Sequence, residues 1–359
     1  WLLTGLADLT LLAAYATTRG APDTLARLRE PMAWGVAVFY LYTGGWKLTE
    51  PWFDPAVSCG AAAWNRQALQ LGLPPGGLGA LLAIYGTLVL ELLGPLALLW
   101  HRTRAPTVAV FATFHLVLGL DLAQGFLNFS SVMFALLWLT LEPTTLRRLA
   151  PAWGSVRMVA RGWTLLFLAM VGVSAVAPQE FLVLRWLTWM GHGATVTLAF
   201  LVLALPAPLR WRPPLPIGWA FLALVTLNGA SPWLGLKTRN SWQMYSNLRL
   251  EADVSNHLLL PPSLDLGGWL ADDVIVHHID VPELAEQWVG PERRVTWFML
   301  QRGLAPYPDA ALSYTRAGQT HTVPRAGADP ALADHPSWLV RKLVWFRPLG
   351  PAVGDTCQW

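Results

Sequence analysis

The chain has 359 residues, of which 13% are charged, with 21 tryptophans and a formal net charge of +3. Soluble domains carry about 25% charged residues, whereas mean hydropathy here is +0.41. The basic residues fall as short clusters between apolar runs, a pattern that excludes nucleic acid as a partner and points to the lipid bilayer.

A bilayer core is crossed by about 20 mostly apolar residues. Eight stretches approach that length, roughly 1–17, 32–48, 76–100, 105–123, 126–142, 162–178, 186–205 and 215–231. The expected fold is an α-helical polytopic membrane protein: about eight transmembrane helices over 1–231, then a small β-rich extracytoplasmic domain over 232–359. The first residue is Trp1, already inside an apolar run, so an earlier segment is expected upstream.

Loop arginines set the expected orientation. Arg19, Arg27 and Arg29 follow the first run, Arg102 and Arg104 the third, Arg147, Arg148, Arg157 and Arg161 the fifth, and Arg210 and Arg212 the seventh. The alternate connections hold only Arg66 and Arg185. Basic loops stay cytoplasmic, which puts everything after residue 231 outside a bacterial-type plasma membrane. In that tail DVIVHHIDV, RRVTWFML and WLVRKLVWF read as strands between Pro, Gly and Asp turns. Cys59 and Cys357 both fall on the outer side, where disulfides persist; two cysteines leave their pairing open.

Ionisable groups inside apolar runs are costly and mark functional sites. Here they are Asp8, Lys47, Glu91, His115, Asp121 and His192, with Gln124 and Asn128 nearby. Lys47, His115, Asp121 and His192 gather on the side of the tail. Lys47 is one of three lysines in the chain, beside Lys237 and Lys342. It is either a snorkelling anchor or a base, since desolvation deprotonates lysine and not arginine. His115 and His192 are either buried hydrogen-bonding groups or parts of a site, and Glu91, just before Gly94-Pro95, reads as structural. Neither GxGxxG, P-loop, HExxH nor GxSxG occurs. His277 and His278 are neighbours on an expected strand and so face opposite ways; no metal site is expected.

FHLVLGLDLAQGFLNFSSVMFALLWLTLEP, residues 114–143, resembles the Phe-His segment of the vitamin K-dependent γ-carboxylases and their bacterial relatives, the HTTM-domain membrane proteins. The shared features are Phe114-His115, Phe129-Ser130, Val132-Met133 and Pro143. YTGGWKLTEPW is similar to the family's small-Gly-x-Lys-Leu segment and places the family's base on Lys47. NSWQMYSNL, residues 240–248, is similar to its Ser-Trp-x-Met stretch through Ser241, Trp242 and Met244.

The resemblance implies a membrane enzyme that uses reduced vitamin K or menaquinone (the hydroquinone), with O2 and CO2, to carboxylate a glutamyl-type acceptor. Lys47 and His115 would be catalytic, and Trp46, Asn128, His192, Trp242 and Met244 would line the quinone site. A peptide or protein acceptor would be met on the extracytoplasmic side. The chain departs from the family in two places. Tyr245, Ser246 and Asn247 stand where the family has a histidine shortly after Ser-Trp-x-Met, which His257 either replaces or does not, and the acceptor-holding region is much reduced. Two other readings stand beside this one: a non-catalytic quinone- or lipid-binding protein or assembly factor, and a transporter lined by Asp8, Glu91 and His115.

Overall fold

The computed structural model describes residues 24–121, 126–141, 182–202, 214–243, 245–251, 254–291, 293–350 and Cys357, with a few isolated positions besides. The chain divides into two compact units. Unit 1 comprises Trp1–Leu41 and Ala63–Thr226, and unit 2 comprises Tyr42–Ala62 and Leu227–Trp359. The GGWKLTEPW segment therefore belongs with the tail.

Helices run through α1 (Thr24–Gly45), α2 (Cys59–Gln70), α3 (Gly77–Leu99), α4 (His101–Leu118), α5 (Phe126–Thr140), α6 (Leu182–Val202) and α7 (Pro216–Ala230). Within unit 1, α4 is the hub and packs on α3, α5 and α6. Its small and apolar residues Ala105, Val108, Ala109, Phe111 and Ala112 are all buried. At Gly94 on α3 a Cβ would lie 2.7 Å from the Phe111 ring, so only glycine admits this approach. Arg104 grips Glu30 with two bonds of 2.8 and 2.9 Å, and Arg66 pairs at 3.3 Å with Asp121, which is fully buried.

Among the described residues one helix, α3, is long and apolar enough to cross a membrane. The expected polytopic protein of about eight transmembrane helices is thereby overturned. Apolar runs proved longer, or less purely apolar, than the helices that carry them. The run at 105–123 outlasts α4, which ends at Leu118 and opens with His101, Arg102 and Arg104. α5 and α7 have 15 residues each, about 22 Å of helix. α1 has 22 residues, but its first turns hold Arg27, Arg29 and Glu30. The runs at 1–17 and 162–178 lie largely outside the described residues. On α3 itself Leu78, Leu82, Tyr85, Val89, Leu93 and Leu96 form an exposed apolar stripe. A patch of that extent marks a lipid or protein contact, and α3 points to membrane association.

Unit 2 is a mixed α/β fold rather than a β-rich one. Strands β1 (Asp273–Ile279), β2 (Val295–Thr296), β3 (Leu312–Arg316) and β4 (Gln319–Val323) form an antiparallel sheet in the order β2-β1-β3-β4. Two expected strands are helices in large part: Trp297–Leu304, capped by Thr296 Oγ1 accepting from the Met299 amide, and Trp338–Leu343, capped by Ser337 Oγ accepting from Val340. Trp288, Leu300, Leu304, Tyr314 and Phe346 are buried in the core with β1 residues Val274, Val276 and Ile279. A bulge between Val276 and His278 interrupts the alternation of β1. His277 and His278 are both exposed.

Candidate functional site

In unit 2 the end of α1 and the following turn carry GGWKLTEPW. Trp46 packs with Leu248 and Leu250 and donates from its indole nitrogen to the Gly229 carbonyl at 3.0 Å. The chain then runs beside residues 256–258. Glu50 donates to Asn256 and Leu258 to Leu48, and Thr49 pairs with His257. Asn247, held at φ 55, clamps the far end. It donates to the Val57 carbonyl and accepts from the Cys59 amide, at 2.9 and 2.8 Å. Cys59 is disulfide-bonded to Cys357.

Lys47 is 5% exposed. Its Nζ donates to the Thr43 carbonyl at 3.1 Å and lies 5.5 Å from the centre of the Trp52 ring. That carbonyl belongs to the last turn of α1, whose acceptors have no helical partner. A snorkelling anchor would show its amine to solvent or headgroups; burial at this level argues against one. Gly45, two residues earlier, has open space where a Cβ would stand. Nearby in sequence to Trp242, itself buried, the Ser241 hydroxyl is buried with no hydrogen-bond partner.

His257 completes this neighbourhood. Its Nε2 donates to the Gly45 carbonyl at 2.9 Å, and its Nδ1 accepts from the amides of Leu259 and Leu260, both at 3.1 Å. Its ring sits edge-on to Trp46. The sequence leaves open whether His257 replaces the histidine that follows the family's Ser-Trp-x-Met stretch. No local signal in SNHLLL foretells a bond to residue 45.

His115 belongs to unit 1 and is fully buried. Nε2 lies 2.7 Å from the Tyr40 hydroxyl and Nδ1 3.4 Å from Ser130 Oγ, within a wall of Phe111, Phe129 and Phe134. Glu91, also buried, is near enough to act electrostatically on Tyr40. Of the other expected residues, Trp46 and Trp242 lie with Lys47 in unit 2, and His192 is half-buried on α6 in unit 1. Asn128 is on α5, its side chain outside the described set, as are Met244, Gln124 and Asp8.

A cleft of about 230 Å3 opens elsewhere in unit 2, between Trp269, Asp272, Trp297, Phe298, Gln301 and Val340. It contains none of the sequence-predicted residues. Of its lining, Asp272 accepts two bonds from Arg316, which also stacks on Trp297 at 3.9 Å.

Compared with protein-family models, curated proteins and solved structures, the chain matches none.

Proposed function

We propose that the protein is a membrane enzyme of the γ-carboxylase kind, in which Lys47 acts as a base toward a reduced naphthoquinone. The observation that carries this reading is the burial of Lys47 against Trp52. Trp46 and Trp242 of the same unit offer apolar ring surface, and the Ser241 hydroxyl there is buried with no hydrogen-bond partner.

Reduced vitamin K or menaquinone supplies, with O2, the strong base needed to carboxylate a glutamyl-type acceptor with CO2. Lys47 would take the quinol proton at Nζ, and the Trp52 indole against it would keep water away. In unit 1 the Tyr40–His115–Ser130 chain is suited to passing a proton or stabilising an anion. The Cys59–Cys357 disulfide supports an extracytoplasmic position for unit 2 on a bacterial-type plasma membrane, where a peptide or protein acceptor would be met.

The competing reading is a non-catalytic quinone- or lipid-binding protein, favoured by the bond from Lys47 to Thr43, which gives the lysine a helix-capping task. Quinol oxidation separates the two. Purified protein in lipid, given reduced menaquinone and O2, is compared with Lys47→Arg and Lys47→Ala. Turnover in the wild type, lost in both variants, supports the base. No turnover above the protein-free control, or full activity in Lys47→Arg, would remove it and leave the binding protein.

A further inference from the structure

Unit 2 contains a loop that does not behave as a water-exposed loop should. Leu258, Leu259, Leu264 and Leu266 are exposed at 51, 75, 51 and 65%. Single exposed leucines are ordinary, whereas such a group within nine residues marks a surface that meets something apolar. The ionisable residues among 254–268 are His257 and Asp265, and both turn inward. His257 bonds Gly45, Leu259 and Leu260 as described, and Asp265 accepts from the amides of Trp269, Leu270 and Ala271 at 3.0 Å each.

The backbone makes the stronger argument. Every amide N–H from Asn256 to Leu264 is bonded within the unit. Asn256 donates to Arg249, His257 to Ser255 Oγ, Leu258 to Leu48, Leu259 and Leu260 to His257 Nδ1, Ser263 to Leu250 and Leu264 to Trp233. Pro261 and Pro262 have no N–H to satisfy. Surface loops ordinarily leave part of their backbone to water. In hydrocarbon no water is available, and each unsatisfied group costs several kcal/mol. Amide donors that are all paired beneath bare leucines are therefore, on the donor side, the arrangement lipid favours.

The loop's attachments lead the same way. Leu264 and Leu266 donate to Trp233 and Leu234, in the turn that follows α7, and Leu227 in the last turn of α7 is exposed and apolar. The loop is thus tied to the turn that follows α7. A protein partner would be expected to meet polar groups at the rim of such a patch, and residues 257–264 offer no outward-facing charge.

We propose that residues 257–266 are a membrane-inserted loop, with the four leucines in the acyl region and the His257 and Asp265 side chains facing the protein. The proposal goes beyond the enzyme reading and holds with or without it. Its test is a single cysteine at position 259 in the full-length protein, labelled with the environment-sensitive dye NBD. The native cysteines are disulfide-bonded and take no label. The labelled protein is reconstituted in phosphatidylcholine nanodiscs with and without doxyl-labelled lipid. Val89→Cys on α3 serves as the apolar reference and Gln319→Cys, on exposed β4, as the aqueous one. A blue-shifted emission at 259, quenched several-fold by doxyl lipid, is the expected result. Emission like that of position 319 would overturn the proposal, as would a blue shift that doxyl lipid leaves unquenched, which would assign the leucines to a second copy of the chain.

Discussion

His257 and Gly45 are joined across 212 positions of sequence by a 2.9 Å hydrogen bond from imidazole Nε2 to the backbone carbonyl. The same ring accepts two amides at Nδ1, so its tautomer is fixed and it pins the leucine loop to the end of α1. His257→Ala leaves two amides and a carbonyl without their partner. An unsatisfied group of this kind costs about 1–3 kcal/mol. The thermal midpoint, followed by tryptophan fluorescence, should fall accordingly; an unchanged midpoint would show that the pin carries no weight.

The Cys59–Cys357 bridge closes a sequence separation of 298 within unit 2. Cross-links of long loops typically contribute about 2–5 kcal/mol. Reduction, Cys59→Ser and Cys357→Ser should each lower the thermal midpoint by the same amount, and the double variant by no more. Equal midpoints for oxidised and reduced protein would mean that the segment stays docked through Asn247 alone.

Some of this was legible in the sequence. DVIVHHIDV alternates and forms β1, and 77–99 is apolar throughout and forms the one membrane-length helix. The misread segments share a physical reason. TWFML and WLVRKL look like strands because Trp, Phe and Val favour them, yet Thr296 and Ser337 accept amide bonds three residues on and start helices there. Such caps are visible in sequence, as S/T before an apolar stretch, and outweigh propensity. Lys47 stood out by rarity, as its burial confirms it is not a surface lysine. Its neighbours did not, because Gly45–His257 and Asn247–Cys59 are contacts about 190–210 residues apart, set by tertiary packing rather than local pattern.

Tyr40 and His115 form a 2.7 Å polar contact in the enclosed aromatic cluster of unit 1. Tyr40→Phe removes only the hydroxyl and leaves Nε2 without it in a fully buried site. The expected loss is about 1–3 kcal/mol. Ser130→Ala should cost less, since its contact to Nδ1 is 3.4 Å. Chemical denaturation of the three proteins gives the comparison, and equal stabilities would show that the chain of hydroxyls and imidazole is dispensable to the fold.

Lys237 is buried in unit 2, and desolvation lowers its pKa from 10.5 to about 8. Between those values the unfolded chain binds more protons than the folded one, so this residue makes stability rise with pH from about 8 to about 10.5 and leaves it flat below. After allowance for solvent screening the rise is on the order of 1–2 kcal/mol. Lys237→Met should be more stable than wild type at pH 7, and the difference should shrink across that window. A difference between the two proteins that is constant with pH would show that the amine titrates normally.

Two glycines of unit 2 make opposite predictions. A Cβ at Gly229 would stand 2.1 Å from the Tyr42 ring, whereas at Gly45 it meets nothing within 4 Å. Gly229→Ala should destabilise by about 1–3 kcal/mol through overpacking. Gly45→Ala should fold with wild-type stability. Gly45→Leu fills the open space at Gly45, two residues before Lys47, and leaves the lysine in place. If that space receives the quinol ring, the leucine variant retains its thermal midpoint and loses menaquinol oxidation, with the alanine variant intermediate. Full turnover in a stable Gly45→Leu protein would mean that the ring lies elsewhere.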